Sequence, residues 1–422
     1  MLRILGNAFA IPEIRRKIAF TAAMLALYRL GAYIPAPGVE ASAINDLQEN
    51  FAGSDILGFL NLFSGGSLSR LSLFALGIMP YITASIILQL LTVVVPALEK
   101  LQKEGEVGQQ KITQYTRYLT VVLAFLQSTG YVFLFKSFGS SGESVVGELT
   151  FAKLMLVVIS LTAGTVLLMW LGELITQRGI GNGISLMIFA SIASGIPNGI
   201  TAWWNNPDQV FVVMMPFIAI AVIVGIVFVQ EGQRRIPVQY AKRVVGRKMT
   251  TGGSSYLPLR VNMAGVIPVI FAASIMAFPP TVGQLLNTPA ALDFAAFFSP
   301  DRWAYVVGEI FFIIIFTYFY TAVTFNPVDQ ADNLKKYGGF IPGVRPGRPT
   351  AEYLDRILSR LTFAGAIYLG LVAALPTILI SQTSANFFFG GTSILIVVGV
   401  ALDTVKQLEA QLMMRNYEGF LK

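Results

Sequence analysis

An all-α integral membrane protein of ten spans is what this sequence predicts, on three observations. Hydrophobic residues fill 55% of the 422 positions and charged residues 13%, a balance outside the range of soluble domains. Apolar runs of about 20 residues, long enough to cross a hydrocarbon core of roughly 30 Å, recur along the whole chain. Of the 30 lysines and arginines, 25 fall on alternate loops or the termini, the distribution that orients membrane helices.

The first run, Ile18 to Ile34, follows Arg15-Arg16-Lys17. Ile34-Pro35-Ala36-Pro37-Gly38 offers no small-x-small cleavage site, so the run reads as a retained span. The second is broken. Ile56 to Phe63 is too short to span and stops at Ser64-Gly65-Gly66-Ser67, whereas Leu71 to Pro96 is long enough. A short apolar helix cut off at membrane depth exposes backbone that lipid cannot satisfy, so it should be buried in protein or line a cavity. In the long part Pro80 removes one backbone donor, and Thr83, Ser85 and Gln89 bring in hydrogen-bonding groups. A kinked helix glued to its neighbours by small polar residues would carry the same pattern. Eight further runs follow: Tyr115 to Phe135, Ala152 to Ile175, Ile184 to Ile200, Val210 to Val229, Asn262 to Leu286, Ala304 to Phe325, Leu358 to Ile380 and Thr392 to Leu412.

The basic loops place both termini in the cytoplasm. Ten spans divide into five and five at Pro197 to Pro207, giving halves 1–204 and 205–422, and because five is odd any repeat between them is inverted across the membrane. Span 7 opens with Asn262, carries Gly265 and Pro268, and ends at Pro279-Pro280, so each half has a disrupted second span. Paired interrupted segments point to the path between halves, and spans 2 and 7 should face each other.

Neither cysteine nor histidine occurs, which excludes disulfides, thiolate or imidazole metal ligands and histidine-dependent catalysis. Ionisable residues inside the spans are scarce: Arg29, Glu173 and Asp403 lie toward ends, an argument against an ion-coupled transporter. Gly105 to Lys111 lacks the spacing of a phosphate-binding loop, and Gly179-Ile-Gly181-Asn-Gly183 reads as a tight connection between spans 4 and 5. No catalytic residue, cofactor or metal is expected, and a partner must supply any energy. Two basic loops offer a surface for one. The loop at 230–260 carries Arg234, Arg235, Lys242 and Arg243, and the loop at 326–356 carries Arg345 and Arg348. Such loops are the ordinary result of topology, yet they also suit RNA or an acidic protein surface. Gly343-Val-Arg345-Pro346-Gly347-Arg348-Pro349 restricts the backbone around an arginine, as a rigid tip would.

Four longer stretches carry a resemblance: Gly77-Ile-Met-Pro-Tyr-Ile-Thr-Ala-Ser-Ile-Ile-Leu-Gln-Leu-Leu91, Leu168 to Ser185 with Gly-Glu-Leu-Ile-Thr-Gln-Arg-Gly-Ile-Gly-Asn-Gly, Gly232-Gln-Arg-Arg-Ile236, and Ala331-Asp-Asn-Leu-Lys-Lys336 with Pro342-Gly-Val-Arg-Pro-Gly347. With them the whole chain resembles the SecY family of protein-conducting channels. The resemblance implies an hourglass channel of two inverted five-helix halves with a short plug helix at about 56–67, here Phe59, Leu60, Phe63, Ser64, Gly65 and Gly66. It places an apolar pore ring at Ile78, Ile82, Ile188, Ile270 and Ile396, and a lateral gate between spans 2 and 3 and spans 7 and 8, with Gln89, Gln127 and Asn262 at its seam. From the sequence alone those isoleucines are ordinary lipid- or core-facing residues. It implies Arg234, Arg235, Lys242, Arg243, Arg345 and Arg348 as docking residues for the SecA ATPase or the ribosome. SecE, SecG, signal sequences, secretory polypeptides and membrane lipids complete the implied partners, with no DNA, in a bacterial cytoplasmic membrane. A small-solute secondary transporter is the alternative, since inverted halves with broken helices describe those as well.

Overall fold

The computed structural model describes residues 11–39, 61, 63–136, 150–204, 209–240, 244–245, 248–249, 254–276, 279, 283, 288–298, 302–383 and 391–419. Each of the ten runs contains helix among the described residues. Span 1 is α1 (Pro12–Gly31), opened by a proline whose missing N–H is not needed there. Span 2 is α2 (Met79–Val94), which bends by 99° into the short helix α3 (Pro96–Lys103). Spans 3 and 4 are α4 (Glu106–Lys136) and α5 (Phe151–Arg178). Span 5 is two pieces, α6 (Gly183–Ala193) and α7 (Ile196–Trp204), where one helix was expected; the break falls at Ser194-Gly195. Span 6 is α8 (Gln209–Glu231) and span 7 is α9 (Ile267–Met276), followed by α10 (Pro289–Phe297). Spans 8, 9 and 10 are α11 (Trp303–Thr324), α13 (Arg348–Thr383) and α14 (Gly391–Gly419), with α12 (Pro327–Lys336) between the first two. Among the described residues four helices are by themselves long and apolar enough to cross a membrane, and a fifth is the bent α2–α3 pair.

The second span departs most from its expected form. Helix begins only at Met79, and Ser64 to Gly77 form a chain of turns with no regular helix. Pro80 therefore sits in the first turn of α2, where no donor is lost, and not inside a long helix. Span 7 repeats the device. Gly77-Ile-Met-Pro80-Tyr-Ile82 and Gly265-Val-Ile-Pro268-Val-Ile270 share a glycine at positive φ (58° and 63°), then a proline in the first helical turn, then an isoleucine two residues on.

Packing follows the same order in each half. Helix α1 lies on α5 and α6, and α2, α4, α5 and α6 pack in sequence. Likewise α8 lies on α13 and α14, and α9, α11, α13 and α14 pack in sequence. Across the halves α2 packs on α9, where Ser274 Oγ donates to Met79 Sδ at 3.9 Å, and α6 packs on α14.

The two basic loops are not separate tethers. β1 (Gln233–Tyr240) pairs antiparallel with β4 (Ser254–Arg260), with Ile236 opposite Leu257, and its far edge pairs with β5 (Gly339–Phe340) from the other loop. The two-residue strands β2 (Val244–Val245) and β3 (Lys248–Met249) form a second small hairpin. Alternation puts Ile236 and Val238 on one face, buried with Leu354, Ile357 and Leu358 of α13. These two small sheets are the additions to the helical membrane body among the described residues.

Inside the first half Arg117 of α4 grips Glu173 of α5 with two bonds, Nε to Oε1 at 2.9 Å and Nη2 to Oε2 at 2.6 Å, and the Glu173 side chain is 12% exposed. Removing one partner strands the other in a poorly solvated site. Arg117→Ala is expected to cost about 2–3 kcal/mol, and Arg117→Met with Glu173→Leu to recover most of it. Thermal unfolding of the detergent-solubilised variants measures both.

Candidate functional site

The residues that the family resemblance singles out come from four helices. Ile78 caps the start of α2 and Ile82 lies one turn on; Ile188 is on α6, Ile270 on α9 and Ile396 on α14. All five fall in one buried cluster together with Phe63, Phe74, Val269 and Leu395, and none is more than 6% exposed. Side chains so thoroughly covered do not face a water-filled passage. The glycines let helices approach this centre. A Cβ on Gly399 of α14 would lie 2.0 Å from Val266 Cγ1, and one on Gly164 of α5 would lie 2.0 Å from the Leu73 carbonyl.

Beside this cluster stand Phe63 to Gly66, the described end of the expected plug; Phe59 and Leu60 lie outside the described residues. Phe63 and Ser64 are buried, and Gly65 and Gly66 take φ of +66° and +82°, conformations that favour glycine. Ser64 Oγ accepts from the Leu68 N–H at 3.1 Å and donates to the Asn61 carbonyl at 3.0 Å, while Asn61 Oδ1 accepts from the Ser69 N–H at 3.0 Å. Three residues that sequence reasoning gave no role reach the same turn. Tyr28 Oη donates to the Ser64 carbonyl at 3.4 Å and bonds the Ser191 hydroxyl, and Arg29 Nη1 donates to the Gly65 carbonyl at 2.9 Å. The signal for Arg29 was present, as a cation inside a span.

The three seam residues do not bond one another among the described residues. Asn262 is buried and donates Nδ2 to the Gly265 carbonyl at 2.8 Å, so it ties the turn that starts α9 instead of bridging to another helix. Gln89 and Gln127 are half-buried, and Gln89 Oε1 and Asn262 Oδ1 have no hydrogen-bond partner among the described residues. Glu309, to which the sequence gives no role, stands nearly two turns into α11. It is 3% exposed, and its Oε1 has no hydrogen-bond partner among the described residues.

At the basic end Arg234, Arg235, Arg345 and Arg348 are exposed; Lys242 and Arg243 lie outside the described residues. The Arg345 carbonyl accepts from Thr350 Oγ1 at 2.8 Å, between Gly343 and Gly347 at φ of +82° and +104°. The arginine therefore stands on a fixed turn, as its flanking prolines and glycines suggest. The connection of spans 4 and 5 is likewise structural. Asn182 Oδ1 accepts from the N–H groups of Ile184 and Ser185, and Thr176 Oγ1 accepts from that of Gly183.

The family model of SecY matches residues 72–405. Among curated relatives, the protein translocase subunit SecY of Corynebacterium glutamicum is 51% identical, over 99% of each chain. Two solved structures share the fold. One is described as a protein conducting channel, with a TM-score of 0.64 at 20% identity, covering 93% of this chain and 91% of that one. The other is Sec61 in the canine ribosome–channel complex from the endoplasmic reticulum, with a TM-score of 0.61 at 19% identity, covering 93% and 91%.

Loss of the Asn262 side-chain amide frees the Gly265 carbonyl in a buried turn. In Asn262→Leu the backbone amides of Val266, Ile267, Val269 and Ile270 are expected to exchange about fivefold faster or more, the range for one net hydrogen bond, as read by hydrogen–deuterium exchange.

Proposed function

The chain belongs to the SecY family, a multi-pass membrane subunit of a protein-conducting channel, and we propose that its waist is the ring of Ile78, Ile82, Ile188, Ile270 and Ile396. The convergence of these five side chains, from helices of both halves, in one buried apolar cluster is the observation that carries this reading. A narrow apolar waist dewets and resists ions, and it offers a passing polypeptide no fixed hydrogen bonds to hold it back. Phe63, Ser64, Gly65 and Gly66, with Phe59 and Leu60 ahead of them, form the plug.

The halves are 1–204 and 205–422, related by an inverted repeat; the shared Gly-x-x-Pro-x-Ile segments and the parallel packing orders support it. Between them the seam of α2 and α4 against α9 and α11 is the lateral gate, with Gln89, Gln127 and Asn262 as its polar residues. A seam with a few weak polar ties, each worth roughly 0.6–2 kcal/mol, opens when a signal sequence intercalates. Membrane segments leave through it into lipid, while secretory chains pass on through the waist.

Arg234, Arg235, Lys242, Arg243, Arg345 and Arg348 form the docking face for SecA or the ribosome. The sheet that joins the two basic loops supports this, since it presents both sets of arginines from one folded unit. SecE and SecG are the companion subunits, and the protein sits in the bacterial cytoplasmic membrane with both termini in the cytoplasm. The chain itself carries out no covalent chemistry.

With no native cysteine, one at position 82 and one in a secretory substrate stalled by a folded domain test the conduit. A disulfide that requires ATP, SecA and the signal sequence is expected; its absence with substrate engaged would remove Ile82 from the waist. At the docking face, Arg345→Glu is expected to lower motor-driven export by about tenfold or more, the scale of reversing one interfacial charge, with normal insertion of the protein itself. Export at the parent rate would take Arg345 out of the docking face.

A further inference from the structure

The described part of the plug is held by side chains that the waist and gate leave without a role. The turn Ser64-Gly65 sits between α1 and α6. From α1, Tyr28 Oη donates to the Ser64 carbonyl at 3.4 Å and Arg29 Nη1 to the Gly65 carbonyl at 2.9 Å. From α6, the Ser191 hydroxyl bonds Tyr28 Oη and donates to the Met187 carbonyl at 2.9 Å. Tyr28 and Ser191 are buried, and the Tyr28 ring stacks on Phe74 at 6.0 Å. The seat is tight. A Cβ added to Gly65 would lie 2.8 Å from Arg29 Nη1 and 3.1 Å from the Ser191 Cα.

Two buried carbonyls at a positive-φ turn need donors. Arg29 supplies that of Gly65, and Tyr28 joins the Ser67 N–H, at 3.4 Å, on that of Ser64. Ser191 holds the Tyr28 hydroxyl in place, and it lies three residues from Ile188, on the same face of α6. A chain that pushes Ile188 outward therefore carries Ser191 away from Tyr28 in the same movement.

We propose that Tyr28, Arg29 and Ser191 form a latch on the Ser64-Gly65 turn, positioning residues that keep the plug seated until displacement of Ile188 on α6 releases it. The coupling rests on the waist reading; the latch on the turn does not. It assigns to α1 and α6 the threshold that a substrate must overcome before the plug leaves.

Resting ion conductance of the purified channel in planar bilayers, without substrate, tests this beside the thermal midpoint. Tyr28→Phe keeps the ring on Phe74 and removes only the hydroxyl, and Arg29→Gln removes the guanidinium. Both are expected to conduct about three- to tenfold more than the parent at rest, the change for one lost hydrogen bond in a two-state equilibrium, with the Tyr28→Phe midpoint unmoved. Ile188→Gly, which opens the waist itself, is also expected to conduct more. Parental conductance in both latch variants, with a rise in Ile188→Gly, would overturn the latch and leave the waist. A rise accompanied by a fall in midpoint as large as that of the core variant Leu168→Ala would overturn it too, as general loosening. A rise in the latch variants with none in Ile188→Gly would remove the waist and the coupling while the latch on the turn stood, and silence in all three would remove both.

Discussion

Backbone inside a membrane must find its hydrogen bonds within the protein, and the stretch from Ser64 to Gly77 shows what that demands of everything around it. These residues are turns, and Ser67, Leu68, Leu71 and Ser72 are almost wholly buried. Their backbone groups bond locally and to the neighbouring loop. The Ser72 N–H bonds the Ser67 carbonyl at 3.0 Å, the Leu73 N–H bonds the Ile34 carbonyl at 2.9 Å, and the Leu71 carbonyl accepts from Ala36 at 2.8 Å. The isolated bridge between Pro35 and Ser72 is the backbone form of the same contact. An irregular segment whose backbone is bonded in this way can be held in the middle of a helical body without a lipid-facing wound, even though the Ser67 and Ser72 hydroxyls have no partner among the described residues.

Such a segment also needs room, which the helices supply by omission. Gly164 gives Leu73 its place against α5, and Gly399 gives Val266 its place against α14. One glycine serves the broken stretch of each half, and in each half a proline in the first turn of the next helix follows three residues after a positive-φ glycine, Gly77 to Pro80 and Gly265 to Pro268. The repeat is one of backbone instructions: turn left, then begin a helix. The side chains between the instructions are free to differ, so Ile78 stands opposite Val266 while Ile82 and Ile270 keep their identity.

This explains which parts were legible in the sequence. Hydropathy gave the ten runs because burial in lipid acts on every residue of a span. It failed at Leu71 to Gly77, whose composition is that of a helix but whose neighbouring glycine and proline make it a set of turns; length alone hid the late start at Met79. The sheet was hidden for another reason. Ile236 and Val238 alternate over too few residues to outweigh the arginines beside them, and their third strand is two residues long and lies about 100 positions away. The five isoleucines could be singled out only by family resemblance, since nothing local separates Ile82 from Ile86. Tyr28 and Ser191 carry no sequence signal at all, being ordinary residues whose meaning is their proximity.

The proposed waist and latch divide the work by chemistry. Apolar contact is non-directional and roughly proportional to area, so a ring of isoleucines yields gradually to whatever enters it and closes again behind a side chain of any shape. Hydrogen bonds to Ser64 and Gly65 depend on direction and are lost within a fraction of an ångström to a few ångströms of movement. A barrier made of the first alone would leak in proportion to thermal motion; one made of the second alone would grip the passing chain. With a net value of about 0.5–1.5 kcal/mol for each bond, the Tyr28 and Arg29 ties together place the unlatched state about 1–3 kcal/mol above the latched one. That gap lies within what insertion of one apolar helix into the seam can offset, at about 25 cal/mol per Å² buried. A threshold of this size keeps the channel shut at rest and still lets a single signal segment open it.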